Sequence, residues 1–537
     1  MKRFFQTVAF SVFALSIAAQ AQNIFVAQTF AGRNTGNDCP NARALSSLTS
    51  GDWVPGNTIH LCGTITASAG AAGLVAQGSG TSDSPITVKF ETGAVLQSPY
   101  FGGSGLCWSL ASCNAGIEVY GNNYIVIDGG TNGVIQDTAN GTNLANHQNS
   151  AGVVLSGNGL ILRNLAIKGI YANDPTSGTD WAGQYTADVV VASGSTNITV
   201  CNNALSNARS GIAGRTSSTT VPSWPLPSCA ANAFSSGVNV FGNTLRDHCW
   251  HFSFGGTNGN VVNIFNNDYS GVSNWAFRPN QSSYYHTDGV IAYGDSGAQV
   301  IVYFFNNYAH DTAYGTAAFF CDWGQTPSGC AAYVFNNIFE VDAAEANMGV
   351  AVWLDGTPGE LMGPYYVFNN TFVNNGIMLM LGPDSETVSI ENNLVSEGTT
   401  SANNFYAKGY GSNSLPSILA TADYNSFYGG RPYGPFGGAG IEYCWPSGCT
   451  SSPWVNTGFD THSVRGNPQI DANFRPSGKS PVVNAGANLS SLCSVPGLGP
   501  LCYDKSGAAR PLTGKWDIGA IEAPHPNPPA GLTGTMK

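Results

Sequence analysis

Two aspartates 23 residues apart, Asp288 and Asp311, each sit beside a histidine, His286 two positions before the first and His310 one position before the second. Paired carboxylates can do acid and base work, one protonating a leaving oxygen while the other attacks or activates water. Cleavage of a glycosidic bond needs two such groups roughly 5–9.5 Å apart. The histidines could tune either pKa or contact a sugar, although a turn or surface role is the commoner use of His. Asp322 is a third, reserve carboxylate. The loop 273–290 that leads into Asp288 carries Trp275, Phe277, Arg278, Tyr284 and Tyr285, and aromatic faces stack on sugar rings as on other apolar rings. The competing reading packs these rings against the body and makes Asp288-Gly289 a turn into a strand. A second acidic set comprises Asp295, Asp322 beside Trp323, and Asp355 two residues after Trp353. Carboxylates next to Trp suit a sugar subsite, stacked carboxylates could instead hold Ca²⁺, and each alone suits a turn.

The elements that must position these residues repeat. Apolar runs end in Asn-Asn at Asn203, Asn267, Asn307, Asn337, Asn370 and Asn393, with a Gly-Asn variant at Asn243, in steps of 40, 24, 40, 30, 33 and 23 residues. The runs, such as 300–305, are β-branched and aromatic and want a pleated surface. Asn tolerates the left-handed backbone and can turn the chain sharply, and stacked Asn amides can bond to one another along an axis. A unit of about 23 residues cannot bury its own apolar side, but units stacked at about 4.8 Å share one core. The spacing predicts an all-β, right-handed parallel β-helix with inserted loops on one face. A second strand per unit, led by Gly289, Gly315, Gly349 and Gly376, is expected to align with the Asn ladder, and Asp295, Asp322 and Asp355 are then expected to stack at one corner. By the same ladder Asp311 lies four residues after Asn307 and Asp288 lies 21 after Asn267, so the two occupy different points on their coils.

The chain of 537 residues has 67 Gly and only 10% charged residues, which fits one long solenoid, since each coil contacts only its neighbours. Lys2 and Arg3, an apolar run 8–18 and Ala19-Gln20-Ala21 read as a secretory signal peptide over 1–21, and the chain is expected to be secreted, extracellular or periplasmic, with no membrane span. The further divisions are an N-terminal cap over 22–56, the β-helix over 57–430 and a C-terminal capping segment over 431–537. The thirteen cysteines suggest disulfides Cys107–Cys113, Cys321–Cys330, Cys444–Cys449, Cys493–Cys502 and Cys39–Cys62. Cys201, Cys229 and Cys249 remain, and Cys201, beside the ladder, could simply be core. No spacing looks like a zinc site.

The closing segment 466–489 followed by 516–522, together with the Asn ladder, resembles the end of many secreted β-helix proteins. From about Asn57 to Glu522 the chain is identified as a member of the pectate-lyase-like right-handed β-helix superfamily, a resemblance that implies the fold and leaves open lyase, hydrolase, epimerase, esterase or adhesin. His286-Thr287-Asp288-Gly289 resembles the Asn-Thr-Asp-Gly motif of polygalacturonase-type glycoside hydrolases, but the Gly-His-Gly and Arg-Ile-Lys motifs of that family are absent. From Pro279 to Ala407 there is no Lys or Arg, while thirteen Asp and Glu fall in the same 129 positions. An acidic groove repels a polyuronate, which favours a neutral glycan and hydrolysis, unless the active surface lies nearer Lys168, Arg209, Arg215, Arg246 and Arg278. A net charge of −12 disfavours nucleic acid, and no resident cofactor is implied. The expected partner is a polysaccharide and the expected state a monomer, with catalytic Asp288 and Asp311. The alternatives are a Ca²⁺-assisted polysaccharide lyase and a non-catalytic glycan-binding protein.

Overall fold

The computed structural model describes residues 21–102, 114–173, 186–230, 234–256, 259–271, 275, 287–294, 299–310, 317–321, 329–340, 350–355, 363–381, 387–396, 405–410, 419–428, 440–443 and 458–524. Among these residues, strands follow one another in a fixed cycle of three and build three long sheets of fourteen, twelve and twelve strands, in which each strand pairs with those one coil before and after. Sheet A holds the strands that end at the Asn pairs, sheet B the three-residue strands that follow, and sheet C the strands that lead back to A. Pairing is parallel throughout except for Phe405–Tyr410 with Gly440–Tyr443. Parallel crossovers in one sheet are almost always right-handed, and the chain is a right-handed parallel β-helix.

The two asparagines of each pair do different work. The first adopts the left-handed backbone, with φ of 56°, 54°, 57°, 56°, 50° and 60° at Asn202, Asn266, Asn306, Asn336, Asn369 and Asn392. This is the conformation that Asn accepts at low cost and that turns sheet A into sheet B. The second is buried, and its Nδ2 donates to Oδ1 of the next coil's Asn. The series runs Asn203, Asn243, Asn267, Asn307, Asn337, Asn370, Asn393, at 2.9–3.2 Å. It continues to Asn425 at 3.1 Å and ends on Asp460 at 2.9 Å. Asn425 follows Tyr424 instead of a second Asn, and Tyr424 takes the same left-handed turn at φ 56°.

The inward apolar column of sheet C sets the register of its strands. Val290 pairs with Phe319, Phe319 with Val352 and Val352 with Ile377. Gly289 is therefore level with Gly376 as expected, but on the coils between with Ala318 and Ala351, three residues past Gly315 and two past Gly349. Likewise, pairing of Ala292 with Cys321 and of Cys321 with Leu354 puts Tyr293, rather than Asp295, level with Asp355. The expected acidic column is thus out of register at its first member. Gly289 itself is needed: a Cβ there would lie 2.2 Å from the Ala318 carbonyl oxygen.

The outer face of sheet A carries stacked rings, Phe241, Phe265, Phe305 and Phe335 at 4.8, 5.0 and 4.9 Å, and is covered by Val221, Leu226 and Phe234 and by Leu489, Leu498, Leu501 and Trp516. The segment 458–524 also lies on sheet B, with Phe474 against Tyr308 and Ile521 against Ile338. The turn asparagines hold it in place: Asn336 Nδ2 donates to the Tyr503 carbonyl at 2.7 Å, Arg510 donates to Asn336 Oδ1 at 2.9 Å, and Asn369 donates to the Asp517 carbonyl at 3.1 Å. Arg510 is also ion-paired with Glu522 in the interior of this segment.

Disulfides join Cys39 to Cys62, Cys321 to Cys330 and Cys493 to Cys502 as the spacing suggests. Cys201 is bonded to Cys229 and pins the insertion after Ser210–Thr216 to sheet A, which corrects its reading as plain core. The pairs Cys107–Cys113 and Cys444–Cys449 lie outside the described residues. Among the described residues no helix is long and apolar enough to cross a membrane.

Candidate functional site

Sheet A is covered by two peripheral segments and sheet B by one, and the outward side chains of sheet C are largely buried too, Ala213, Ile291, Ala317 and Phe320 among them. The strands of sheet C alternate, sending Phe252, Phe254, Val290, Phe319 and Val352 into the core and the intervening side chains outward. Outside, Ile291 and Phe320, together with Ala317 and Trp250 from ahead of the alternating runs, pack with Tyr293 and Trp353 in an aromatic patch whose Trp and Tyr rings are partly buried. The Phe320 and Trp353 rings are 5.3 Å apart. One coil earlier the strand Ser210–Thr216 is flanked by Arg209 and carries Arg215. The Arg209 guanidinium lies over the Trp250 ring, 4.3 Å from its centre, a cation–π arrangement. Ser253 faces the same way between Ala213 and Ile291, is buried, and its Oγ has no hydrogen-bond partner among the described residues.

Asp288 starts the strand Asp288–Gly294 and pairs in register with Trp250 of the preceding coil. It is fully buried, and its Oδ1 accepts the Ala317 N–H at 3.1 Å. Its neighbours include the Cys249 thiol. Burial pushes that thiol up to about 12, Arg209 pulls it down less, and Asp288 adds to the rise. The residue level with Asp288 on the next coil is Ala317, not Asp311, which falls with His286, Arg278, Tyr284, Tyr285, Asp295, Asp322 and Trp323 outside the described residues.

The other expected site residues are dispersed. His310 ends a sheet B strand, where Nε2 meets Asp268 at 2.9 Å and the ring stacks on Tyr308 at 4.2 Å. Asp268 is also paired with Arg246 at 2.8 Å, and these partners hold its carboxyl below the usual range although burial acts against them. His310 therefore belongs to a sheet B ion-pair cluster. Trp275 is the exception: it is buried with Tyr171 and Cys249 against Trp250 of the sheet C patch, and its indole N–H is donated to the Asp247 carbonyl at 3.1 Å. Trp353 lies on the aromatic face, and Asp355 ends its strand. Among the described residues no cluster of three or more His, Cys, Asp or Glu is arranged to hold a metal ion.

Sequence reasoning missed a buried polar corner behind this face. His248 Nε2 meets Asp188 at 2.8 Å across two coils, with both side chains fully buried. The coil between them supplies Gly211, where a Cβ would lie 3.2 Å from the His248 ring and 2.7 Å from the His251 carbonyl oxygen. His251 Nε2 takes its hydrogen bond with the Ser270 carbonyl at 3.0 Å. Burial raises Asp188 well above the carboxylate range, with Asp137 adding to the rise, and holds His248 well below the usual imidazole range. His251 is pushed down to about 3, chiefly by burial. Together these bonds fix both sides of Cys249-Trp250. The sequence signal was available as His248, Cys249 and His251 in four positions, but nothing local names Asp188 as partner.

Asp137, in the same corner, is raised to about 8 by burial, against hydrogen bonds from Ser150, Asn140 and the Phe101 N–H. A carboxyl raised on folding stabilises fully below its unfolded value near 4 and loses that contribution as pH climbs toward 8. Asp137→Asn removes this term. The variant's stability relative to wild type is expected to rise by roughly 1.4 kcal/mol per pH unit between pH 5 and 7, read from urea unfolding; parallel pH profiles would refute it.

No protein-family model and no curated protein matches the sequence. Solved structures that resemble it include pectate lyase Pel9A, at 16% identity and TM-score 0.47, over 94% of this chain and 97% of that one. A GH136 lacto-N-biosidase from Eubacterium ramulus gives 12% and 0.40 over 70% and 64%, and the PL6 family alginate lyase AlyGC gives 11% and 0.41 over 80% and 53%. Resemblance at this level lends the chain no reaction, and its own strand ladders identify it as a right-handed parallel β-helix.

Proposed function

We propose that the protein is a secreted carbohydrate-active enzyme that lays a polysaccharide along the outer face of sheet C and hydrolyses it. The observation that carries this reading is the partly buried patch of Trp250, Tyr293 and Trp353 on the same sheet as Asp288, which pairs in register with Trp250. Aromatic faces supply sugar platforms. Asp288, shielded from water, acts as the acid, and Asp311, from the following turn, as the nucleophile or base; Asp322 is the reserve. Four disulfides among the described residues suit an oxidising compartment and hence secretion.

A second reading has its own support. Arg209 and Arg215 on the same face could neutralise a uronate, as β-elimination requires, with Ca²⁺ held by carboxylates of the acidic set. Product analysis separates the two. Incubation with a panel of neutral and uronate polysaccharides is expected to release new reducing ends without an ultraviolet-absorbing unsaturated product and without sensitivity to chelators. Trp250→Ala and Trp353→Ala are each expected to raise KM about 10-fold, a stacking loss of about 1.4 kcal/mol. Unsaturated, chelator-sensitive products would replace hydrolysis by elimination, and no cleavage of any glycan would sink both.

A further inference from the structure

The outward column of sheet A that runs Phe241, Phe265, Phe305, Phe335 and Phe368 does not end in apolar residues. Phe368 pairs with Glu391, and Glu391 pairs with Asp423 at the end of Leu419–Asp423, the final strand of sheet A among the described residues. Two partly exposed carboxyls therefore stand level on adjacent coils, starting about 4.8 Å apart. We propose that they form a second hydrolytic centre, separate from the sheet C face, in which Glu391 is the acid and Asp423 the nucleophile toward a short glycoside. Asp423 is ringed by donors: its Oδ2 meets His462 Nδ1 at 2.6 Å, and its Oδ1 accepts the N–H groups of His462 and Tyr424, both at 2.8 Å. Burial pushes its carboxyl up, but these hydrogen bonds and the His462 charge outweigh it and hold Asp423 below the usual carboxylate range. Burial raises Glu391, a hydrogen bond with Thr421 opposes the rise, and Asp423 adds to it. A carboxyl kept protonated beside one kept ionised, at a spacing near the roughly 5–5.5 Å of retaining enzymes, is a glycoside-cleaving pair.

The surroundings fit a sugar. On the neighbouring outward column the rings of Tyr303, Tyr333 and Tyr366 stack at 4.3 and 5.0 Å, and the stack stops because Ser389 and Thr421 take the next two places. Tyr366 is partly exposed and Thr421 exposed, so the last ring can serve as the platform beside the two carboxyls. The far side is bounded by 458–464, which is tied down by the Asp460 N–H on the Ala422 carbonyl at 2.7 Å and the Val464 N–H on the Asn425 carbonyl at 2.8 Å. Its His462 ring stacks on Tyr424 at 4.8 Å. From Tyr366 to Asp423 is two coils, about 10 Å, which suits a short glycoside or a chain end. Asp423 attacks the anomeric carbon as the bond from that carbon to the leaving oxygen breaks, and Glu391 gives its proton to that oxygen. Water then loses a proton to Glu391 while its oxygen displaces Asp423, so both carboxyls are restored and the product keeps its configuration.

The test is nitrophenol release by the intact protein from a panel of nitrophenyl glycosides, run beside reducing-end release from polysaccharides. At least one glycoside is expected to be cleaved with retention, read from the product anomer by NMR. Glu391→Gln and Asp423→Asn should each lower its turnover about 10²-fold or more, with polysaccharide cleavage unchanged in Glu391→Gln. His462→Ala removes a donor from Asp423, so the acidic limb of the kcat/KM profile should move to higher pH, which a merely structural contact would not do. An inverted product, or turnover lost in Asp288→Asn and kept in Glu391→Gln, overturns the second centre. Polysaccharide cleavage without cleavage of any nitrophenyl glycoside overturns it too and leaves the sheet C reading standing; the reverse pattern sinks the sheet C reading alone, and no cleavage of either class sinks both.

Discussion

Asp288→Asn is expected to lower turnover on the polysaccharide substrate about 10²- to 10⁴-fold, the range for removing a positioned acid, with no change in urea midpoint. The carboxamide has the same shape, and its oxygen can still accept the Ala317 N–H that ties Asp288–Gly294 to the next coil. What it cannot do is deliver a proton. Asp311→Asn should match it, and the double variant should be little worse than either single one, because residues that act as a unit are grossly non-additive. Reducing-end release at saturating substrate measures the effect. Wild-type turnover in Asp288→Asn would reduce this residue to an anchor between coils and sink the acid assignment.

Asn307→Ala is expected to cost about 3–5 kcal/mol, at the top of the range for single substitutions. Asn307 is fully buried and bonded in three directions. Its Oδ1 accepts from both the backbone and the side chain of Asn267, at 3.0 and 3.1 Å, and its Nδ2 donates to Ile264 and Asn337, at 2.9 and 3.2 Å. Truncation strips partners from buried donors and acceptors of both neighbouring coils. The adjacent Asn306→Gly is the control. It keeps the left-handed turn at φ 57° and should stay within about 1 kcal/mol of wild type. Urea midpoints of the two variants give the comparison; equal losses would mean that the turn, and not the ladder, carries the stability.

The ladder was legible because each step is a local chemical choice repeated at the next coil, so seven of its asparagines could be named from spacing. Asn425 escaped because Tyr424 takes the turn in place of Asn. The candidate site was less legible. Asp288 and Trp353 do lie on one sheet and Trp275 packs against Trp250 there, while His310 went to sheet B. Spacing from an Asn locates a residue on its coil but says nothing of which neighbour claims its side chain. The Gly-led alignment held between Gly289 and Gly376 but slipped by three residues at Gly315 and two at Gly349, because apolar burial, in the column Val290, Phe319, Val352 and Ile377, fixes strand register, and a glycine has no side chain to bury.

By itself the sequence determined the coil, its turns and its stacking axis, all properties of neighbouring units with a period to read. The tertiary structure decided which segments cover the coils and which side chains meet between them. That depended on contacts without any period: the C-terminal segment hooked onto Asn336 and Asn369, Cys201 bonded to Cys229, and Asp188 meeting His248 across 60 residues. Such pairings arise only once the coils have stacked, because the free energy that selects them is burial shared between segments that carry no mark of each other in the chain.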